Sequence, residues 1–208
     1  MSKFKRQVFW RVPGPTRRLR SMTLTAVLFA GGLSRRMGTD KATLTLAGGP
    51  LWARQLKLLR ELEPQSLWVS ARERPAWCPP DIEVVPDAPP SRGPLSGIAA
   101  VLPRLQTTHL LALAIDLPHM TAEQLRKLLA AAQPGCGVIP INGDYFEPLC
   151  AIYPAEAAAV AADMLGADKL SLQDLAQALL HQNLLAPYPL AEPEKQFFHN
   201  LNTPADLE

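Results

Sequence analysis

A glycine-rich segment that also carries several cations follows the first strongly apolar stretch of the chain. Residues 31–41 read GGLSRRMGTDK, so three glycines stand beside two arginines and a lysine. Glycines let main-chain N–H groups approach an anion without a Cβ in the way. Arginine and lysine add charge-assisted hydrogen bonds. The segment predicts a loop that binds a polyphosphate, in preference to a glycine-rich turn with incidental surface cations.

Two widespread phosphate-binding patterns do not match this segment. The P-loop requires Gly, four residues and then Gly-Lys-Ser/Thr, and the dinucleotide-binding loop requires G-x-G-x-x-G. The chain has instead the pattern G-G-x-S-x-R-M-G-x-D-K. The predicted phosphate loop therefore belongs to another kind of nucleotide-binding protein.

An acidic residue, Asp116, comes directly after HLLALAI at 109–115, the most apolar stretch of the chain. This pattern predicts a central strand, and ligands of open α/β sheets bind where such strands end. Mg²⁺ in nucleotide sites is held by one or two carboxylates together with substrate phosphates. A single Asp is therefore sufficient as a metal ligand. The alternative, an Asp that only caps the turn before Thr121, is less favoured beside a phosphate loop.

The elements that position these residues follow from the apolar pattern. From residue 23 onward short apolar runs alternate with amphipathic helical stretches, which is typical of βαβ units. We therefore predict an α/β fold with three layers, a Rossmann-like, mainly parallel sheet with helices on both faces. Strands are predicted at 25–30, 66–71, 82–85, 109–115, 138–140 and 148–153, with extended segments at 44–46, 184–188 and 197–201. Helices are predicted at 51–62, 94–105, 122–132, 155–165 and 171–181, the third with a capping box of Thr121 and Gln124.

The composition argues against several other functions. The formal net charge is only +2, and Lys and Arg are spread along the body of the chain, which disfavours nucleic-acid binding. The three cysteines, Cys78, Cys136 and Cys150, lack the short spacing of a zinc or redox site. No apolar run approaches the roughly 20 residues that a membrane-spanning helix needs. We therefore expect a cytoplasmic protein with free thiols.

The first 21 residues differ from the rest of the chain. They are basic, show no apolar periodicity and lack the apolar core of a secretory signal. We expect residues 1–21 to be a disordered extension, followed by a single domain at 22–208. A basic arm that docks a partner, or translation that starts at Met22, are the alternatives.

The loop pattern, preceded by Phe29-Ala30, resembles the signature of the molybdenum cofactor guanylyltransferase family, which has a nucleotide-diphospho-sugar transferase-like fold. The resemblance extends from about residue 23 to residue 207 and includes Gly93-Pro94-Leu95-Ser96-Gly97. It implies transfer of GMP from GTP to molybdopterin, or to molybdenum-molybdopterin, with Mg²⁺ as cofactor. The products are molybdopterin guanine dinucleotide and pyrophosphate. Molybdoenzymes and their chaperones are the implied downstream partners.

The resemblance assigns roles to the positions that match the family's motifs. It implies a catalytic set of Arg36, Lys41 and Asp116, with Asp116 as the metal ligand. The implied nucleotide-binding residues are Phe29, Ala30, Gly31, Gly32, Arg36, Lys41, Ser70, Asp87, Gly93 and Asp116. The implied acceptor-binding residues are Glu147, Asn200 and Asn202. Ser70 is a departure, because some members of the family carry Asn there.

The resemblance also implies a simple mechanism. The acceptor phosphate is already an anion, so its attack on the α-phosphorus of GTP needs alignment and charge neutralisation and no general base. One alternative is a cytidylyltransferase that uses CTP for the same acceptor. That branch more typically shows Ala-Gly at positions 31–32 and Asp-x-Asp at positions 200–202. A noncatalytic nucleotide-binding adaptor in cofactor delivery is the second alternative.

Overall fold

The structure, a computed structural model, describes residues 22–31, 41–46, 49–88 and 91–201. The predicted N-terminal extension at 1–21, most of the glycine-rich loop at 32–40 and the last residues at 202–208 lie outside this part. Most of the described strands join one large sheet. In chain order the strands are β1 (Leu24–Phe29), β2 (Thr45–Leu46), β3 (Gly49–Pro50), β4 (Ser66–Ala71), β5 (Glu83–Pro86), β6 (His109–Ala114), β7 (Gly137–Asn142), β8 (Tyr145–Phe146), β9 (Cys150–Pro154) and β10 (Leu185–Pro189).

The order of the strands in the sheet is β10-β7-β9-β6-β1-β4-β5, and β8 pairs with β7. The pairs β6–β1, β1–β4, β4–β5 and β10–β7 are parallel. Strand β9 is antiparallel to both of its neighbours, β6 and β7, so β6 and β7 run in the same direction. The carboxyl ends of β1, β4, β5, β6 and β7 therefore meet at one edge. The predicted mainly parallel sheet is confirmed.

Helices cover both faces of this sheet. They are α1 (Leu51–Arg60), α2 (Pro94–Val101), α3 (Ala122–Ala131), α4 (Ala157–Gly166) and α5 (Leu172–His181), with 3-10 helices at Lys41–Thr43, Leu102–Arg104 and Glu192–Phe198. Helices α1 and α3 pack on one face, which contains Ala26 and Leu28 of β1. Helices α2, α4 and α5 pack on the other, which contains Val27. This alternation along β1 is that of a strand buried on both sides, and it confirms the predicted three layers.

One local prediction is wrong, and a second is only half confirmed. Residues 197–201 were expected to be extended, but the 3-10 helix Glu192–Phe198 covers the first two of them. Pro193 suits the first turn of this helix, and the Glu194 carboxylate accepts a hydrogen bond from the Ala191 N–H at 2.9 Å. The capping box of α3 is only half formed. The Gln124 N–H donates to Thr121 Oγ1 at 3.2 Å, but the Gln124 side-chain amide donates to Glu194 instead.

The helices of the described residues are all short. None of them combines the length and the apolar character of a helix that crosses a membrane. All six residues of β6 are buried, and this strand stands in the middle of the strand order. The prediction that this strand is central is confirmed. Asp116, two residues after the end of β6, therefore lies near the middle of the edge at which the carboxyl ends of the parallel strands meet.

Gly137, the first residue of β7, touches the backbone of β9 too closely to accept a side chain. A Cβ there would lie 1.9 Å from the carbonyl oxygen of Ile152, so the strands would have to separate. We expect Gly137→Ala to lower the free energy of unfolding by roughly 1–3 kcal/mol or more, as measured by urea denaturation. Gly166→Ala is the control, because a Cβ at Gly166 meets nothing within 4 Å. Equal losses in the two variants would contradict this interpretation.

Candidate active site

A cleft of about 440 Å³ opens at the carboxyl edge of the sheet, within the usual range of about 300–1,000 Å³ for ligand pockets. Every predicted nucleotide-binding residue that the structure describes lines this cleft. These residues are Phe29, Ala30, Gly31, Lys41, Ser70, Asp87, Gly93 and Asp116. The remaining two, Gly32 and Arg36, lie outside the described residues, as does the predicted acceptor residue Asn202.

One end of the cleft contains an ion pair that is tied to the C-terminal segment. Lys41 Nζ lies 3.8 Å from Asp116 Oδ2. The same ammonium donates a hydrogen bond of 2.7 Å to the carbonyl oxygen of Leu201, and the Leu201 N–H donates to the Asp116 carbonyl at 2.8 Å. The Leu201 main chain therefore contacts Lys41 and Asp116, the two predicted catalytic residues that the structure describes. Both side chains remain partly accessible, at 21% for Lys41 and 28% for Asp116, so a ligand in the cleft can reach them.

The environment of Asp116 suits a bound cation. Burial raises the pKa of the Asp116 carboxyl group above its ordinary value, although the Lys41 charge acts in the opposite direction. The carboxylate is thus poorly solvated, and a divalent ion would stabilise its charged form. No group of three or more His, Cys, Asp or Glu side chains in the described ranges could enclose a metal ion. An ion at Asp116 would therefore take its other ligands from phosphate oxygens or water, as Mg²⁺ commonly does.

A residue that sequence reasoning missed, Gln55, holds the backbone on both sides of Asp116. Gln55 lies on α1 with only 1% of its surface exposed. Its amide Nε2 donates to the carbonyl of Leu117 at 2.7 Å and approaches that of Ile115 at 3.5 Å. Leu51 and Leu59, four residues before and after Gln55, are fully buried. A polar residue four positions from two apolar residues on one helical face indicates a buried polar group that needs a hydrogen-bond partner. This pattern could have identified Gln55 from the sequence.

The other end of the cleft carries a carboxylate, Asp87, and a hydroxyl group, Ser70. Asp87 follows β5, and its Oδ2 accepts a hydrogen bond from Ser91 Oγ at 2.7 Å. The Ser70 side chain is buried, and its Oγ has no hydrogen-bond partner among the described residues. A Cβ at Gly97 would lie 2.9 Å from Ser70 Oγ and 3.3 Å from Asp87 Oδ1. The glycine at position 97 therefore keeps the space between these two polar groups open.

The structure describes two of the three predicted acceptor-binding residues, Glu147 and Asn200. Glu147 precedes β9, and its Oε1 accepts a hydrogen bond of 3.3 Å from the Asn142 amide. Burial raises the pKa of Glu147, and the nearby negative charge of Asp116 raises this pKa further. Glu147 therefore stands within the electrostatic reach of Asp116. Asn200 is exposed and directly precedes Leu201, outside any helix or strand.

Comparison with known proteins identifies the family. Residues 26–185 match the family described as MobA-like NTP transferase domain. The chain is 35% identical over 188 residues to a probable molybdenum cofactor guanylyltransferase of Opitutus terrae, covering 89% of this chain and 93% of the relative. It is 34% identical over 181 residues to the molybdenum cofactor guanylyltransferase of Xanthomonas euvesicatoria, covering 86% and 90% of the two chains.

A solved structure supports the same assignment. The molybdopterin-guanine dinucleotide biosynthesis protein A of Archaeoglobus fulgidus superposes with a TM-score of 0.66 at 26% identity, covering 88% of this chain and 94% of the other. The family predicted from the glycine-rich loop is thereby confirmed. This chain belongs to the MobA-like NTP transferase family of nucleotidyltransferases.

Proposed function

We propose that this protein transfers GMP from GTP to molybdopterin, with or without molybdenum, and releases pyrophosphate. The family and the names of its relatives support this function. The observation that carries it is a single cleft with the Lys41–Asp116 pair at one end and Asp87 at the other. The proposal treats residues 22–208 as one nucleotidyltransferase domain. It places the reaction in the cytoplasm, where GTP is available.

The proposed reaction is an in-line displacement. An anionic oxygen of the acceptor phosphate forms a bond to the α-phosphorus of GTP, and the bond from that phosphorus to the β-phosphate oxygen breaks. The electron pair leaves with pyrophosphate. Because the attacking oxygen is already negative, the protein has to align two anions and neutralise their charge.

The chain offers groups for these tasks. The Lys41 ammonium has three donors and uses one for Leu201, so the others can contact phosphate oxygens. Arg36 is proposed to stabilise the leaving pyrophosphate, together with Lys41. Asp116 would hold Mg²⁺, which when bound supplies positive charge beside the reacting phosphates. Gln55 and Leu201 keep the Asp116 backbone in place for this purpose.

The far end of the cleft favours guanine over cytosine. Guanine presents a ring N–H and an amino group side by side, so one carboxylate can accept from both. Cytosine presents its amino group next to ring acceptors, which a carboxylate cannot satisfy. The Asp87 carboxylate suits the guanine edge. The Ser70 hydroxyl, which has no hydrogen-bond partner within the described ranges, can donate to a base oxygen. This chemistry supports GTP as the substrate in place of CTP.

The reaction is tested by mass spectrometry of the products formed from molybdopterin, Mg²⁺ and mixed nucleotides. We expect the GMP adduct and pyrophosphate. Lys41→Ala and Asp116→Ala should each lower kcat by about 100-fold or more, since single charge-stabilising groups in transfer sites have effects of this size. The exposed Lys169→Ala and Asp163→Ala are matched controls. Absence of pyrophosphate release by the native chain would favour a noncatalytic adaptor, and near-normal transfer by the two site variants would refute their roles.

The role of Asp87 can be tested with ITP, which lacks the 2-amino group of GTP. The native protein should prefer GTP, because the carboxylate loses one donor with ITP. Asp87→Asn should reduce kcat/KM for GTP by about 10- to 100-fold, the equivalent of one or two lost hydrogen bonds, and should weaken the preference for GTP over ITP. Asp81→Asn, at an exposed aspartate, is the control. An unchanged GTP-to-ITP ratio in Asp87→Asn would place guanine recognition elsewhere.

Gln55→Leu tests whether Gln55 positions Asp116. Leucine fills a similar volume but cannot donate to the carbonyls of Ile115 and Leu117. We expect kcat to fall by about 3- to 10-fold, consistent with one net hydrogen bond, and the Mg²⁺ concentration for half-maximal activity to rise. The KM for GTP and the thermal unfolding midpoint should change little. The exposed Gln177→Leu on α5 is the control; a native Mg²⁺ dependence in Gln55→Leu would show that Gln55 has only a packing role.

A further inference from the structure

The hairpin formed by β7 and β8 exposes an aromatic side chain. Tyr145 is 70% exposed, whereas every other large hydrophobic side chain of the described residues is at least partly buried. A single exposed aromatic residue is not unusual by itself. Its place in the fold and the groups beside it make this one informative.

The hairpin projects from the carboxyl edge of the sheet, where the cleft opens. Strand β7 runs in the same direction as β6, so its end at Asn142 and the end of β6 before Asp116 lie at the same edge. The turn that follows contains Gly143, whose φ of +63° suits the first central position of a two-residue hairpin. Tyr145 therefore lies beyond the edge at which the cleft opens.

Tyr145 shares one face of the hairpin with two polar side chains. Asn142 is directly opposite Tyr145 in the antiparallel pairing, and opposite residues of such a pair point to the same side. The Asn142 amide donates to Glu147 at 3.3 Å, so the Glu147 carboxylate belongs to this face as well. Two residues after Glu147, the Leu149 carbonyl accepts a hydrogen bond of 2.6 Å from the N–H of the last residue of β6, and Leu149 lines the cleft together with Asp116. The segment that carries Glu147 therefore borders the Asp116 end of the cleft.

The hairpin is held firmly by the rest of the protein. The side chain of Gln173 on α5 accepts from the Phe146 N–H at 3.0 Å and donates to the Phe146 carbonyl at 2.9 Å. The Glu147 N–H donates to the Pro140 carbonyl at 3.0 Å. Phe146 packs into the core on the side of α5. A face fixed in this way loses little conformational freedom when a ligand binds.

The order of the strands separates this face from the base pocket. Asp87 follows β5, Asp116 follows β6 and Tyr145 follows β7, so the proposed phosphate position lies between the other two. Strand β7 is two positions from β6, which is about 10 Å at the usual strand spacing. A flat ring system attached to a phosphate at Asp116 can extend over this distance.

We infer that the face formed by Asn142, Tyr145 and Glu147 binds the pterin ring of the acceptor. Tyr145 stacks on the flat bicyclic ring, and Glu147 accepts hydrogen bonds from the 2-amino group and the neighbouring ring N–H. This pairing has the same chemistry as that proposed for Asp87 with guanine, because guanine and pterin both present an amino group, a ring N–H and a carbonyl oxygen side by side. The inference rests on the proposed function, which supplies the identity of the acceptor.

Free pterin, which is fluorescent, serves as the probe. Its emission should be quenched on titration with the native protein. Tyr145→Phe, which keeps the ring, should bind it with near-native affinity, whereas Tyr145→Ala should weaken binding by about 10-fold, as expected for loss of one stacking partner. Glu147→Gln should weaken binding as well. Tyr145→Ala should also raise the KM for molybdopterin while the KM for GTP stays unchanged.

The outcomes separate this inference from the proposed function. If Asp116→Ala abolishes GMP transfer while Tyr145→Ala keeps native pterin affinity and native KM for molybdopterin, the pterin site is wrong and the function stands. The same holds if the native protein does not quench pterin fluorescence at all. If the native chain forms no GMP adduct, the proposed function fails, whatever the pterin titration gives. Thermal unfolding of Tyr145→Ala should match that of the native protein, because the side chain is exposed.

Discussion

The negative charge of Asp116 is the constraint on which the arrangement of the site depends. Burial disfavours this charge, and the Lys41 ammonium at 3.8 Å offsets the cost only in part. The protein nevertheless fixes the residue firmly, because Gln55 and Leu201 bind the carbonyls of residues 115–117. A carboxylate held in place and incompletely neutralised is well prepared to bind a cation. A cation bound at Asp116 would offset the remaining cost of burying the carboxylate.

The common direction of most strands places residues from different parts of the chain along one edge of the sheet. Parallel pairing places the ends of β5, β4, β1 and β6 side by side, and the antiparallel β9 allows β7 to point the same way. Residues far apart in the chain, such as Asp87 and Asp116, consequently face one cleft. The nucleotide and the proposed acceptor can then lie end to end along one edge. This arrangement would let the acceptor oxygen approach the α-phosphorus from the side opposite the leaving pyrophosphate, as an in-line transfer requires.

Much of this could be predicted from sequence, and the failures have physical causes. The long apolar run at 110–115 predicted that β6 is central, and it marked Asp116 as an acid at the end of this strand. The antiparallel direction of β9 could not be predicted, because a buried strand has the same local pattern in either direction. The 3-10 helix over Glu192–Phe198 depends on a side-chain hydrogen bond at Glu194. The buried polar position of Gln55 was visible in the helical pattern, but its partners lie 60 and 62 residues further along the chain and could not be predicted. The roles assigned to the site residues stay predictions.

The contacts of Leu201 are made by its main chain. Such contacts do not depend on the side chain, so other apolar residues that fit the core around position 201 could make them as well. Proline alone is excluded on hydrogen-bonding grounds, because it has no N–H to donate to Asp116. A survey by side-chain substitution would therefore miss the contribution of Leu201, whose carbonyl contacts the lysine and whose N–H contacts the aspartate.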